Sequence, residues 1–353
     1  MYIKNIGLRN FKNYEDSFFS FKPEGCIIIG KNGIGKTNLL EAMSYFTYGR
    51  SILNHHDEQL ISFAKDSFVI KSSFYVNEDT AEFQAFFSKQ KKKVIQIENK
   101  PLKKISDLYR HVQTVYSSTD DIFNIFSTPS KRRHFVDIAI AKIYPSYIDF
   151  LRRYKNTLAQ RNSLLKTNFN PKEKEAWDKT FCEEAKSIVE YRIKFFDQYN
   201  EFVKKSYGLI TGEEEIDILL KLNYYQEHDF VPKMISLLNK NLVHEKKYQT
   251  SLYGPHRDDF DITISQKNAL HFASQGQKRS IVIALKIALA NIITSINNIH
   301  PILIFDDTLA ELDKSRSSSL LSKLNPNHQV FIASPTLDRY LSIGLPVLDL
   351  EAR

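Results

Sequence analysis

Cysteine is almost absent: the 353-residue chain has two, Cys26 and Cys182. Two isolated thiols exclude a disulfide framework and a four-cysteine metal site, and they suit a reducing compartment. Glycine and proline are sparse, at 11 each, which excludes collagen-like and low-complexity chains. Uninterrupted apolar runs long enough to cross a bilayer are also missing. The N-terminus, Met1 to Arg9, carries charges where an export signal needs a greasy core, and the stretch Ile281–Ile296 is broken by Lys286 and Asn291. That break reads as too polar to span a bilayer, so the expectation is a cytoplasmic protein with no membrane partner. Neither charge sign dominates, yet the balance is +8, compatible with phosphate-rich partners without establishing them. What is present is ordinary for a soluble chain: 42% hydrophobic and 25% charged residues, in a length that fits one large domain or two to three smaller ones.

The texture along the chain changes twice. Residues 1–117 read as strands mixed with helices: Tyr2–Leu8 alternates apolar and polar, and Cys26–Ile29 is a solid apolar run typical of a strand buried on both faces. Residues 118–250 read as helical, with three- and four-residue apolar spacing over Tyr147–Leu165 and again over Lys172–Tyr207. Residues 251–353 return to mixed texture, with an alternating Phe260–Ser265, an apolar helix over 280–296, and buried strands at Pro301–Phe305 and Gln329–Ala333. The arrangement expected is one α/β lobe built from both chain ends, with a mainly helical lobe inserted between them.

The strongest local signal is Gly30-Lys31-Asn32-Gly33-Ile34-Gly35-Lys36-Thr37, which satisfies G-x-x-x-x-G-K-[ST] in full. Glycines let backbone N–H groups wrap a phosphate, and the amides at the start of the following helix face the same anion. Lys36 is placed to neutralise β- and γ-phosphates, and the Thr37 hydroxyl can ligate Mg²⁺. The flanks agree: a buried strand precedes and a helix-forming run, Asn38 to Met43, follows.

A nucleotide site also needs an acid. Ile302 to Phe305 leads into Asp306 and Asp307, so a buried strand can present Asp306 to the Thr37-bound metal while Asp307 orients the attacking water. Ser274-Gln275-Gly276-Gln277 opens the apolar helix, with Ser274 as an N-cap. Gly276 in a first turn weakens a helix, and close approach of another phosphate is one reason to keep it. The order of cradle, long insertion, Ser-x-Gly-Gln and double acid resembles that of ATP-binding-cassette heads.

These motifs together resemble the RecF family of bacterial DNA replication and repair. The resemblance runs over nearly the whole chain: Leu8–Tyr14, the cradle, Gly49-Arg50-Ser51, Pro129–Asp137, Gln160–Lys166, Gly254-Pro-His-Arg-Asp-Asp259, Ser274–Arg279, Asp306-Asp307 and Glu311-Leu-Asp313. It implies an α/β P-loop NTPase of ABC/SMC-head type without the long coiled coil. It further implies ATP and Mg²⁺ as cofactors, and an ATP-dependent homodimer in which the partner offers Ser274, Gly276 and Gln277 to the γ-phosphate, with Asp313 near the same interface. Implied partners are DNA, single- and double-stranded and at their junctions, and proteins of the RecO and RecR type that load recombinase; a role in the SOS response and a slow, DNA-stimulated ATPase follow from the same resemblance. The chain departs from the family pattern at Leu53 and His56, where arginines are frequent, at Ala310, and at Ser334-Pro335-Thr336, which holds no switch histidine.

Lysines 91, 92, 93, 103 and 104 gather around an expected hairpin, where they can meet DNA phosphates or simply solvate a sheet edge; Arg132 and Arg133 can extend that basic path. His55-His56 has no metal-ligand spacing. Two other readings of the cradle stand beside the DNA clamp: a small-molecule kinase, which needs no Ser-x-Gly-Gln element, and a scaffold that ATP stabilises without hydrolysis.

Overall fold

The computed structural model describes residues 1–76, 79–212, 215–224 and 229–352. The side chains of Lys92, Glu311, Lys314, Ser315 and Ser342 also lie outside the described residues.

In chain order the elements are β1 (Tyr2–Phe11), β2 (Tyr14–Ser20), β3 (Gly25–Ile29), α1 (Lys36–Tyr48), β4 (Ser67–Val76), β5 (Asp79–Ser88), β6 (Lys91–Ile97), β7 (Lys100–Pro101) and β8 (Thr114–Ser118). There follow α2 (Asp121–Phe126), α3 (Pro129–Ile143), α4 (Tyr147–Leu164), α5 (Pro171–Thr211), β9 (Ile216–Lys221), α6 (Phe230–Lys240) and α7 (Leu242–Tyr248). The last group is β10 (Asp259–Ile264), β11 (Lys267–Asn268), α8 (Ala269–Phe272), α9 (Gln275–Asn297), β12 (Ile302–Asp306), α10 (Lys314–Lys323), β13 (Val330–Ser334) and β14 (Val347–Asp349).

Two compact units result. The first comprises Met1–Ile122, Lys205–Glu214 and Ser274–Arg353; the second comprises Phe123–Lys204 and Glu215–Ala273. These divisions differ from the expected breaks at 117/118 and 250/251. The reason is pairing: β10 runs antiparallel to β9, Asp259 opposite Lys221 through Ile264 opposite Ile216, so residues 259–264 stay with the inserted unit. The strand at 216–221 also interrupts a stretch whose spacing had read as helical.

In the first unit a five-stranded parallel sheet has the order β14-β3-β13-β12-β8, and a six-stranded antiparallel sheet has the order β2-β1-β4-β5-β6-β7. The solid apolar run 26–29 is indeed an interior strand, flanked by β13 and β14. Helix α1 has no solvent face over most of its length: Leu39, Leu40, Met43, Tyr45 and Phe46 join one core with Phe68, Phe74 and Phe83 of the antiparallel sheet and Ile28, Ile304 and Phe331 of the parallel one. Phe46 meets Phe74 and Phe83 edge-on, at 5.9 and 5.6 Å between centroids. Buried Gln329 joins the chain ends: it accepts from the Ile3 amide at 2.7 Å and donates to the carbonyls of Ile3 and Lys22, both at 2.9 Å. By length and composition α9 could cross a membrane, contrary to the polarity argued from Lys286 and Asn291, but 67% of its apolar window is buried, as in a core helix.

The second unit is held by buried ion networks. Arg161, 1% exposed, donates to Asp178 at 2.7 Å, to Glu245 at 2.6 Å and to the Ser251 hydroxyl at 2.6 Å. Arg192 reaches Asp258 at 2.6 Å and Asp137 at 2.8 Å. Removing one member of such a group leaves an uncompensated charge, at a cost of about 3–5 kcal/mol. The run Gly254–Asp259 belongs to this framework. Tyr154 donates to His256 Nδ1 at 2.6 Å while His256 Nε2–H meets the Ser251 carbonyl at 2.9 Å, and burial first, then nearby arginines, lowers the imidazole pKa to about 4. That histidine is therefore a neutral structural group.

Candidate functional site

The site is assembled entirely within the first unit. Strand β3 ends at Ile29, and the chain then turns through Gly30, Gly33 and Gly35 at φ values of 147°, 84° and 119°, conformations that favour glycine. A Cβ on Gly35 would stand 2.5 Å from Asn13 Nδ2 and 2.9 Å from the Tyr14 hydroxyl, so that glycine is a steric requirement. Asn13 and Tyr14 hold the loop from outside: Asn13 Nδ2 donates to the Ile34 carbonyl at 2.9 Å and Tyr14 donates to the Gly35 carbonyl at 3.0 Å. At the other end the Lys31 amide donates to Glu351 Oε1 at 2.6 Å.

The start of α1 is built for an anion. Its N-cap Gly35 offers no side-chain acceptor, and no acid lies in its first turn, so no side chain of the helix's own first turn competes as a carboxylate for the orphan N–H donors at the positive end of the dipole. Lys36 is buried, with Nζ donating to the carbonyls of Gly30 at 2.6 Å and Lys31 at 3.1 Å.

Two strands of the parallel sheet bring the acid to the cradle. Asp306, at the end of β12, accepts from Thr37 Oγ1 at 3.0 Å and from the Tyr116 hydroxyl of β8 at 2.6 Å. Burial raises the Asp306 pKa, the Tyr116 and Thr37 hydrogen bonds oppose this, and the Asp307 charge adds to it. Asp307 has left-handed backbone (φ 56°), its Oδ1 is buried without a hydrogen-bond partner, and burial raises its pKa too. Behind Tyr116, Lys286 of α9 donates to the Tyr116 carbonyl at 2.7 Å and pairs with Asp121 at 2.9 Å.

These residues fit Mg²⁺ bound with a nucleotide. The 3.0 Å between Thr37 Oγ1 and Asp306 Oδ1 is close to the spacing of neighbouring ligands around a small octahedral cation, roughly 3.0 Å for metal–oxygen bonds near 2.1 Å. Among the described residues no cluster of three or more His, Cys, Asp or Glu could hold a metal.

Ser274 stands at the head of α9 and caps it: its hydroxyl accepts from the Gln277 amide at 3.2 Å, and Gln277 Oε1 accepts from the Ser274 amide at 2.9 Å. Ser274, Gln275 and Gly276 are exposed, and a Cβ on Gly276 would meet nothing within 4 Å. Asp313 caps α10, accepting from the Arg316 amide at 2.8 Å.

The basic residues divide. Lys91, Lys103 and Lys104 are exposed, whereas Lys93 pairs with Asp57 at 2.8 Å, and the Lys92 side chain lies outside the described residues. Arg132 does not extend a basic path: it is 4% exposed and forks onto both oxygens of Asp259 at 2.7 and 2.8 Å. Arg133 is half-buried and donates to the Asp258 carbonyl at 2.9 Å. Their signal in the sequence is charge alone; the acid that neutralises Arg132 lies 127 residues away, and the Arg133 bond is to a backbone carbonyl. Tyr116, Asn13, Tyr14 and Lys286 are not site residues by sequence motif; Asn13 and Tyr14 lie in the family-like segment Leu8–Tyr14, and Lys286 stands out as a cation interrupting an apolar helix.

The family described as RecF/RecN/SMC N terminal domain matches residues 2–340. The chain is 32% identical over 351 residues to the DNA replication and repair protein RecF of Clostridium botulinum, covering 97% of this chain and 95% of that protein. It is 32% identical over 357 residues to the protein of the same description from Streptococcus agalactiae, covering 96% and 92%. Among solved structures, the recombination mediator protein RecF-ATPrS of the RecFOR pathway superimposes with a TM-score of 0.88 at 28% identity, over 99% of this chain and 95% of that one. An Smc head bound to the C-winged helix domain of ScpA shares the fold, with a TM-score of 0.60 at 13% identity over 99% and 94%. The architecture is that of an α/β P-loop NTPase of the ABC/SMC-head type, and the chain belongs to the RecF family.

Proposed function

We propose that this protein is an ATP-switched DNA-binding protein of replication and recombinational repair. The observation that carries the reading is the convergence of Thr37 and Asp306, 3.0 Å apart, beside an uncapped helix start and a buried lysine. Bound Mg²⁺-ATP would supply the charge that this site is shaped to neutralise. Gly30–Thr37 hold the phosphates, Thr37 and Asp306 hold the metal, and Asp307 orients water for a slow, DNA-stimulated hydrolysis.

The exposed capping box of Ser274 and the open space at Gly276 support a second half-site. Each copy of the chain lends that surface, with Gln277, to the triphosphate held by the other, so ATP closes a homodimer and hydrolysis opens it. The dimer acts at gapped DNA or single-strand/double-strand junctions, with RecO- and RecR-type proteins, in loading recombinase and supporting the SOS response. The naming of the solved relatives as recombination mediators of the RecFOR pathway supports this. Lys91, Lys103 and Lys104 are the DNA contacts favoured by their exposure.

Sedimentation with Mg²⁺-ATP, for wild type and Lys36→Met, tests the switch. The wild type is expected to dimerise and the variant to remain monomeric; a variant that dimerises normally, or a wild type that never does, removes the reading.

A further inference from the structure

Among the described residues the most exposed large hydrophobic side chain is a phenylalanine. Phe63 is 98% exposed, at a turn in which the Lys65 amide donates to the Ser62 carbonyl at 3.1 Å and Ala64 takes left-handed backbone, φ 60°. The turn is anchored rather than loose. The Ser62 amide donates to the Asn10 carbonyl of β1 at 2.9 Å, and the Lys89 amide donates to the Asp66 carbonyl at 3.0 Å, which joins the turn to the β5–β6 hairpin. Lys89 Nζ donates to the Lys65 carbonyl at 2.9 Å and to Asp66 at 3.3 Å. Lys65 and Lys91 are exposed and have no ion pair among the described residues.

A fully exposed phenyl ring forgoes about 1.5–3 kcal/mol of burial, which a ligand that covers it would recover. The surroundings identify its chemistry. The two turns hold three lysines against one aspartate, and neither carries another large exposed apolar side chain. Large protein and membrane contacts are marked by contiguous apolar patches, which these two turns do not carry. A single flat ring among cations instead matches one base and its flanking phosphates. We propose that Phe63 is a stacking platform for an unpaired base of single-stranded nucleic acid, with the adjoining phosphates on Lys65, Lys89 and Lys91. The surface pair of Lys89 with Asp66 is weak enough to exchange for a phosphate. This inference rests on the DNA reading above and names the element that would prefer an unpaired strand.

The test uses the full chain with Mg²⁺-ATP and a labelled single-stranded oligonucleotide carrying 2-aminopurine, titrated over a salt series. Phe63→Ala is expected to weaken binding about tenfold at unchanged salt slope and to abolish the 2-aminopurine response, while Phe63→Trp keeps both. Lys65→Ala with Lys91→Ala should instead flatten the slope by roughly 1.4, two phosphates' worth. A Phe63→Ala titration that superimposes on wild type, or one that changes the slope as the lysine variants do, overturns the platform while leaving DNA binding intact. A wild type that binds no single-stranded oligonucleotide at any salt overturns the platform, and one that binds no gapped duplex either defeats the DNA reading itself. An unchanged melting temperature for Phe63→Ala confirms that the comparison is between folded proteins.

Discussion

Tyr116 donates a 2.6 Å hydrogen bond to Asp306 Oδ2 on the neighbouring strand, and Thr37 takes the other oxygen of the same carboxylate at 3.0 Å. The Asp306 carboxylate, proposed above to hold the metal, is thus oriented from two sides. Tyr116 is itself fixed by backbone pairing, Ile304 opposite Tyr116 in the parallel sheet, and its carbonyl accepts from Lys286 of α9. The helix that begins with Ser274 is therefore linked to the acid through one tyrosine.

Tyr116→Phe removes the orienting bond and little volume. Hydrogen bonds to charged groups contribute about 1.5–3 kcal/mol, so turnover should fall roughly 10- to 100-fold. Nucleotide affinity should change only a few-fold, because the cradle is untouched. Single-turnover hydrolysis alongside equilibrium nucleotide binding checks the split; equal losses in both would show that the tyrosine acts on binding and not on the placement of Asp306.

The pKa of Asp306 is raised, chiefly by burial, and this gives a signed pH dependence. An acid with a native pKa above its unfolded value holds more protons when folded. Its contribution favours folding at low pH and is lost as pH climbs through the native value. At neutral pH the ionised carboxylate therefore costs the nucleotide-free protein stability. Asp306→Asn should melt at or above the wild-type temperature at pH 7.5, with the advantage shrinking on acidification, and Mg²⁺-ATP should no longer raise its melting temperature. Thermal melts across pH 4–8 decide this; a variant less stable than wild type at neutral pH runs against it.

Gly35 and Gly33 should respond differently to alanine. Both have positive φ, but only Gly35 has neighbours, Asn13 Nδ2 at 2.5 Å and the Tyr14 hydroxyl at 2.9 Å from its Cβ position. Gly33→Ala should lose about 1 kcal/mol from backbone strain alone. Gly35→Ala should lose about 1–3 kcal/mol and also displace the clamp on the Ile34 carbonyl, abolishing the nucleotide-induced rise in melting temperature. Urea unfolding with and without nucleotide measures both effects.

Local pattern was enough for the elements that carry their own cause. The eight-residue cradle, the solid apolar runs at 26–29 and 302–305, and the capped start of α9 depend on residues a few positions apart, and all three stand where their spacing put them. What tertiary structure alone decided is pairing across distance. Arg132 reads as a free cation until Asp259, 127 residues on, neutralises it, and Tyr116 reads as one more aromatic until Asp306, 190 residues on, accepts its hydrogen bond. Strand 259–264 looks like part of the C-terminal lobe until its register with β9 assigns it to the inserted unit. A run of side chains specifies a local conformation through sterics and periodicity, but which charge is buried and which hydroxyl is aimed depends on the neighbour that folding supplies.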